Sequence, residues 1–125
     1  MKSALVTGGG GFVGRAVVRS LLEMGVLCSV VGRKPYPALE KRGVRCLQGD
    51  IRDAEFLVAS CRNVDTVFHI AALTGIWGKW SEYYSINVVG AENVLAACRK
   101  NGVGTVTDPV RTQFGFHLVK VTGKK

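Results

Sequence analysis

Histidine is scarce in this chain. His69 and His117 are the only two among 125 residues, and no ligand spacing surrounds either one. No metal centre is therefore expected. The four cysteines, Cys28, Cys46, Cys61 and Cys98, contain no C-x-x-C pair and fall in apolar settings. They read as buried reduced thiols rather than a disulfide frame or a zinc site. No apolar run approaches the roughly 20 residues of a membrane-spanning helix. No signal-peptide pattern follows Lys2, so the expected location is cytoplasmic. Acidic residues are also few, nine against 17 lysines and arginines, for a formal charge of +8. The cations are dispersed apart from Arg33-Lys34, Lys41-Arg42 and Lys124-Lys125. A nucleic-acid binder would show a basic face with interleaved aromatics. No nucleic-acid partner is expected, and the charge reads as a solvated surface that also attracts an anionic ligand.

The most informative stretch is Thr7-Gly8-Gly9-Gly10-Gly11-Phe12-Val13-Gly14. Before it, Ala4-Leu5-Val6 is an apolar run of strand type. After it, Val13, Val17, Leu21 and Met24 recur at helical spacing until Gly25. A strand, a glycine turn and a helix in that order form a phosphate cradle. The glycines permit a sharp turn and close backbone approach, and the helix N-terminus offers unpaired N–H groups and a partial positive charge. The run fits G-x-G-x-x-G through Gly9, Gly11 and Gly14, and T-G-x-x-G-x-x-G through Thr7, Gly8, Gly11 and Gly14. A P-loop is excluded, because Gly14-Arg15-Ala16 lacks both the lysine and the magnesium-binding hydroxyl. The alternative to dinucleotide binding is a purely structural turn. The length suits one domain, whereas a complete dinucleotide-binding enzyme usually needs more.

Val26 to Val31 reads as a second strand, continuous and apolar as in a parallel sheet covered on both faces. Where a carboxylate normally closes this strand and holds the adenosine ribose, the chain has Gly32, then Arg33 and Lys34. A carboxylate there would repel a 2′-phosphate, and Arg33 would attract it. One such ion pair is worth about 1 kcal/mol in water and about 4 kcal/mol near a protein surface. NADP(H) is thus expected over NAD(H); the alternative is an Arg33 that points into solvent. Lys34-Pro35-Tyr36-Pro37 is a loop, Ala38 to Arg42 a short helical turn closed by Gly43, and Val44 to Gln48 a third strand. Asp53 is placed to cap a helix over Ala54 to Arg62, and Asp65 to Ile70 is a fourth strand. The alternation predicts βαβ units and an α/β fold with a doubly wound parallel sheet in the order 3-2-1-4, with the glycine turn at the switch point. Ser81 to Asn101 is the longest helical pattern, with an apolar stripe of Tyr84, Val88, Ala91, Leu95 and Cys98, closed by Gly102. The loop Thr74 to Trp80 carries two tryptophans that either line a lipid-like substrate pocket or pack the helix onto the sheet.

With these motifs in place the chain resembles an extended short-chain dehydrogenase/reductase. The nearest branch is the 3β-hydroxysteroid dehydrogenase/isomerase and NAD-dependent epimerase/dehydratase group. The matching stretches are Thr7 to Gly14, Gly49 to Asp53, Val67 to Ala72 and Asn87 to Leu95. Gly75-Ile76-Trp77-Gly78 with Tyr83-Tyr84 is similar to the 2-alkyl-3-oxoalkanoate reductases of bacterial olefin synthesis. The resemblance implies a Rossmann-type NAD(P)-binding domain over residues 1–103. It places Gly8, Gly11 and Gly14, with Thr7, Phe12 and Val13 beside them, at the pyrophosphate turn. Asp50 and Ile51 fall at the adenine, and Ala71 and Ala72 at the ribose. Asn87 takes a supporting place in an active-site hydrogen-bond network, or is simply a polar residue near a helix start. The implied activity is hydride transfer between NADP(H) and a hydroxyl or carbonyl on a hydrophobic, sterol- or fatty-chain-like substrate.

Beyond Val103 the pattern departs from the family. A serine at the end of the next strand and a Tyr-x-x-x-Lys pair are expected there, the tyrosine as general acid with its pKa lowered by the lysine. The chain instead gives Gly104-Thr105-Val106-Thr107-Asp108-Pro109, and neither Tyr36, Tyr83 nor Tyr84 has a lysine four places on. This predicts a shortened or frameshifted relative, inactive by itself, with a divergent and irregular basic tail over 104–125. Phe114 to Val121 is the one stretch of that tail with strand character. An unpaired fourth strand would leave an apolar edge open to self-association. The alternatives to an oxidoreductase are a non-catalytic dinucleotide-binding module and an inactive gene fragment.

Overall fold

The computed structural model describes residues 1–9, 11–70, 81, 85–107, 110–112, 115–117 and 120–121. Its elements run β1 (Ser3–Thr7), α1 (Phe12–Glu23), β2 (Leu27–Gly32), α2 (Pro37–Glu40), β3 (Arg45–Gln48), α3 (Ala54–Ser60) and β4 (Thr66–His69). A π-helical turn (Ser85–Val89) leads into α4 (Gly90–Asn101), followed by β5 (Gly104–Thr107), β6 (Val110–Thr112), β7 (Gly115–His117) and β8 (Lys120–Val121).

Strands β1 to β4 pair in parallel in the order β3-β2-β1-β4, as expected from right-handed crossovers. Alternate strand residues feed two cores. Ala4, Val6 and Val30 pack with Val18 and Leu21 of α1 and with Leu39 of α2. Leu5, Val31 and Val67 pack with Leu57 of α3 and with Val94, Ala97 and Cys98 of α4. Helices thus cover both faces, the arrangement that lets parallel strands be apolar throughout. Asp53 caps α3, its Oδ1 accepting the Phe56 N–H at 3.1 Å. Gly25, Gly43 and Gly102 take φ of +76°, +87° and +66° where the chain leaves its helical segments.

Several expectations are corrected. The inward face of α1 is Gly14, Val18 and Leu21, whereas Val13 and Met24 are exposed. Gly14 must lie against the backbone of Gly8, and that contact sets the rotation of the helix. The expected stripe on the last helix is also displaced. Val88 is exposed, Ala91 and Leu95 are half-buried, and the inward residues are Gly90, Val94, Ala97 and Cys98. The π-helical turn is wider than an α-turn, so a 3.6-residue count begun before it loses phase. Tyr84 itself lies outside the described residues. Cys28, Cys61 and Cys98 are buried and in no disulfide, while Cys46 is only half-buried.

The described residues of the tail are strands rather than irregular chain. β5 pairs in parallel with β4, from Thr66 opposite Gly104 to His69 opposite Thr107, and β8 adds antiparallel to β5. β6 and β7 form a separate antiparallel pair. β4 therefore has no open edge, and the self-association expected from one loses its basis. The β-branched run Thr105-Val106-Thr107 suits a strand once such an edge is available.

Candidate dinucleotide site

Of the expected site residues, Gly8 follows β1, Gly32 and Arg33 end and follow β2, and Asp50 follows β3, at the C-terminal ends of the parallel strands; the strand order reverses beside β1. Gly8 leaves β1 at φ +74° and its N–H donates to Val31 O at 3.4 Å. The Gly11 N–H returns to Gly8 O at 3.1 Å, which closes the turn, and Gly11 then serves as N-cap of α1. No side chain caps that helix and no acidic residue occupies its first turn. The N-terminal N–H groups at Phe12, Val13 and Gly14 therefore face an anion-favouring field. Phe12 is 94% exposed, a large apolar ring standing beside the turn.

The glycines have separable reasons to be glycine. A Cβ on Gly14 would collide with the carbonyl of Gly8, and one on Gly9 would press to 2.8 Å from the Val30 methyls. A Cβ on Gly11 meets only Gly8 O among the described residues, at an ordinary 3.5 Å. Its φ of −82° suits any residue. Packing therefore explains Gly9 and Gly14 but leaves Gly11 unexplained. A ligand seated against its backbone accounts for it, and on this observation the turn fits a dinucleotide pyrophosphate.

Thr7 has a different place from the one expected. Its side chain is 0% exposed, its hydroxyl lies 2.8 Å from His69 Nδ1, and it accepts the Ile70 N–H at 2.9 Å. It supports the turn from within the sheet rather than presenting a contact to a ligand. Burial holds the His69 pKa down at about 4, so the ring is neutral at pH 7.

Gly32 ends β2 with the Tyr36 ring directly against it, so a Cβ there would strike the phenol. Arg33 is exposed, and its carbonyl accepts from Gln48 Nε2 at 3.1 Å. Asp50 follows β3 and accepts the Arg52 N–H at 2.9 Å and Arg52 Nε at 3.0 Å. The Arg52 hydrogen bonds chiefly, with the charges of Arg52 and Arg33, hold the Asp50 carboxyl below its ordinary range. Ile51 is buried under α4. Asn93 Nδ2 donates to its carbonyl at 3.1 Å, and Gly90 leaves room for its side chain. Sequence reasoning missed Asn93 and Gly90 as the supports of this loop. Asn87 sits in the π-helical turn, half-buried. Ala71, Ala72 and the tryptophan loop lie outside the described residues. Among the described residues no cluster of His, Cys, Asp or Glu could hold a metal ion, and no helix is long and apolar enough to cross a membrane.

Residues 5–107 match the model of the 3-beta hydroxysteroid dehydrogenase/isomerase family. A 2-alkyl-3-oxoalkanoate reductase of Stenotrophomonas maltophilia is 44% identical over 122 residues, 95% of this chain and 37% of the relative. A 3 beta-hydroxysteroid dehydrogenase/Delta 5-->4-isomerase of Mycobacterium tuberculosis is 40% identical over 106 residues, 79% of this chain and 29% of the relative. The chain thus spans about a third of the length of these relatives. Among solved structures, MoeE5 in complex with UDP-glucose and NAD superposes with a TM-score of 0.74 at 35% identity, covering 84% of this chain and 35% of that one.

Proposed function

Since this chain belongs to the 3-beta hydroxysteroid dehydrogenase/isomerase family, whose members are NAD(P)-dependent oxidoreductases, we propose that it is the cofactor-binding part of such an enzyme. Its cofactor on this reading is NADP(H), and its substrate carries a carbonyl or hydroxyl on a hydrophobic chain or ring. The observation that carries the proposal is the glycine turn, with no side-chain cap on its helix and with Gly11 a glycine that packing among the described residues does not require.

Each remaining residue then has a role. The N–H groups at the start of α1 bind the pyrophosphate, with Phe12 and Val13 flanking it. Asp50 and Ile51 receive the adenine, positioned by Arg52 and Asn93. Gly32 and Arg33 admit a 2′-phosphate. Ala71 and Ala72 line the ribose, and Asn87 supports the reacting end. The bound dinucleotide supplies or accepts the hydride. The names of the relatives favour a 3-oxo acid with an alkyl branch, or a 3-hydroxysteroid, as substrate class. A cytoplasmic location is consistent with this use of a soluble cofactor.

A second reading is favoured by one observation: no tyrosine in these 125 residues is followed four places on by lysine. On that reading the chain holds a dinucleotide without chemistry, or is an inactive gene fragment. Calorimetric titration with NADPH and NADH, followed by an NADPH-oxidation assay on a long-chain 3-oxo substrate, separates the readings. Binding with turnover supports the enzyme, binding alone the module, and no binding of either cofactor would refute the enzyme and the module and leave the inactive fragment.

A further inference from the structure

A cleft of about 350 Å³ lies between α1 and the segment that follows β2. Three arginines line it, Arg15 and Arg19 from α1 and Arg42 from beyond α2, together with Tyr36 and Leu39. No acidic residue is among its lining residues. Arg15 and Arg19 stand at i and i+4 on one helix, a like-charge spacing that disfavours the helix, and Arg42 adds a third cation. Among the described residues none of the three forms an ion pair. Glu23 and Glu40 belong to the same helices but do not line the cleft. Three cations gathered without a counter-charge in a cavity of ligand size call for an anionic occupant.

The position of the cleft says which anion. Arg15 directly follows Gly14, and its N–H donates to Gly11 O at 2.9 Å, so the cleft begins at the glycine turn. Tyr36 packs against Gly32, so the same cleft adjoins the end of β2. Tyr36 and Leu39 also pack on the core between α1 and the sheet, which gives the cleft a fixed wall. Arg33 is not among its lining residues, and the charge of Arg33 acts on Asp50. We propose that the Arg15–Arg19–Arg42 cleft receives the 2′-phosphate end of the dinucleotide, and that these arginines rather than Arg33 alone set the preference for NADPH. The proposal rests on the dinucleotide reading above and adds the residues that hold the second phosphate.

The test compares dissociation constants for NADPH, NADH, 2′,5′-ADP and 5′-AMP in the full chain, in Arg19→Gln/Arg42→Gln and in Arg33→Gln, at one ionic strength near about 0.15 M. Circular dichroism and melting confirm that the exposed substitutions leave the fold intact, and the single Arg42→Gln variant serves if the pair does not fold. The expected result is NADPH preferred over NADH in the unmodified chain. The cleft variant should lose about tenfold or more in NADPH and 2′,5′-ADP affinity, with little change for NADH and 5′-AMP. An NADPH preference that survives in the cleft variant but vanishes in Arg33→Gln would overturn the cleft and leave the cofactor reading standing. Equal losses for all four ligands would mean only a general attraction to basic surface, and would also overturn it. An unmodified chain that binds NADH as tightly as NADPH would overturn the cofactor preference itself, and the cleft with it.

Discussion

The Thr7 hydroxyl lies 2.8 Å from His69 Nδ1, inside the sheet and across the two strands between which the strand order reverses. The same hydroxyl accepts the N–H of Ile70, where the chain leaves β4. The contact ties the start of the glycine turn to the end of β4, so the cradle is anchored on both sides of the crevice. It also makes a buried imidazole part of the support.

That imidazole gives the fold an acid-sensitive window. The unfolded chain takes up a proton on His69 as pH falls through about 6.5, but the folded chain takes it up only near pH 4. The stabilisation is complete above pH 6.5 and is lost as pH falls toward 4. A shift of this size corresponds to about 3 kcal/mol. The Asp50 carboxyl, held below its ordinary value of 3.8, acts at lower pH. Urea midpoints measured from pH 7 to pH 4 should drop steeply across this interval, and His69→Gln should flatten the drop. An unchanged slope in His69→Gln would remove His69 from the cause.

Two glycines of one turn should respond oppositely to alanine. Gly14→Ala drives a methyl into the Gly8 carbonyl, and no flexible side chain can yield there. An overpacking loss of about 1–3 kcal/mol, or more, is expected in thermal melts. Gly11→Ala meets Gly8 O at an ordinary 3.5 Å and should change the melting point by little. Equal destabilisation by both would mean that Gly11, too, is a packing residue.

Cofactor preference should move with the end of β2. Gly32→Asp places a carboxylate beside the ribose edge and should shift preference toward NADH. The Tyr36 ring must swing aside to admit it. Gly32→Asp/Tyr36→Ala should therefore bind NADH at least as tightly as Gly32→Asp alone. A Gly32→Asp chain that still favours NADPH would contradict this assignment, as read from parallel titrations of both cofactors.

Turnover by these 125 residues alone should stay near background. Positioned acid catalysis typically contributes about a hundred- to ten-thousandfold, and a preorganised carbonyl donor can contribute a comparable factor. The sequence contains no Tyr-x-x-x-Lys pair to supply the first. Steady NADPH oxidation with a long-chain 3-oxo substrate, lost in Asn87→Ala, would show that another group supplies the acid.

What was legible in the sequence was what backbone geometry demands locally. A glycine run between an apolar run and a helical period admits few conformations, and four apolar strands separated by crossovers admit few orders. The inward faces of α1 and α4 were not legible from large apolar residues. They are set by Gly14 and Gly90, which pack because they lack a side chain. Asn93 escaped because its partner is the backbone carbonyl of Ile51, which leaves no mark in a pattern of side chains. β5 and β6 escaped because each is short, and β5 depends on the edge of β4, made far earlier in the chain; β7 and β8 fall within Phe114 to Val121, the stretch that does show strand character. Arg15 and Arg19 are neighbours on α1, but Arg42 is distant in sequence and joins them only when the segment after β2 folds back over α1.

The most direct test of the dinucleotide cradle is calorimetric titration of NADPH into the unmodified chain and into Gly11→Val, with far-ultraviolet circular dichroism recorded for both. Gly11 is the one described glycine of the turn that neither packing nor a positive φ requires, so a branched side chain there should leave the spectrum unchanged and abolish detectable binding. Binding of NADPH by Gly11→Val as tight as that of the unmodified chain would show that the glycines form a turn and nothing more.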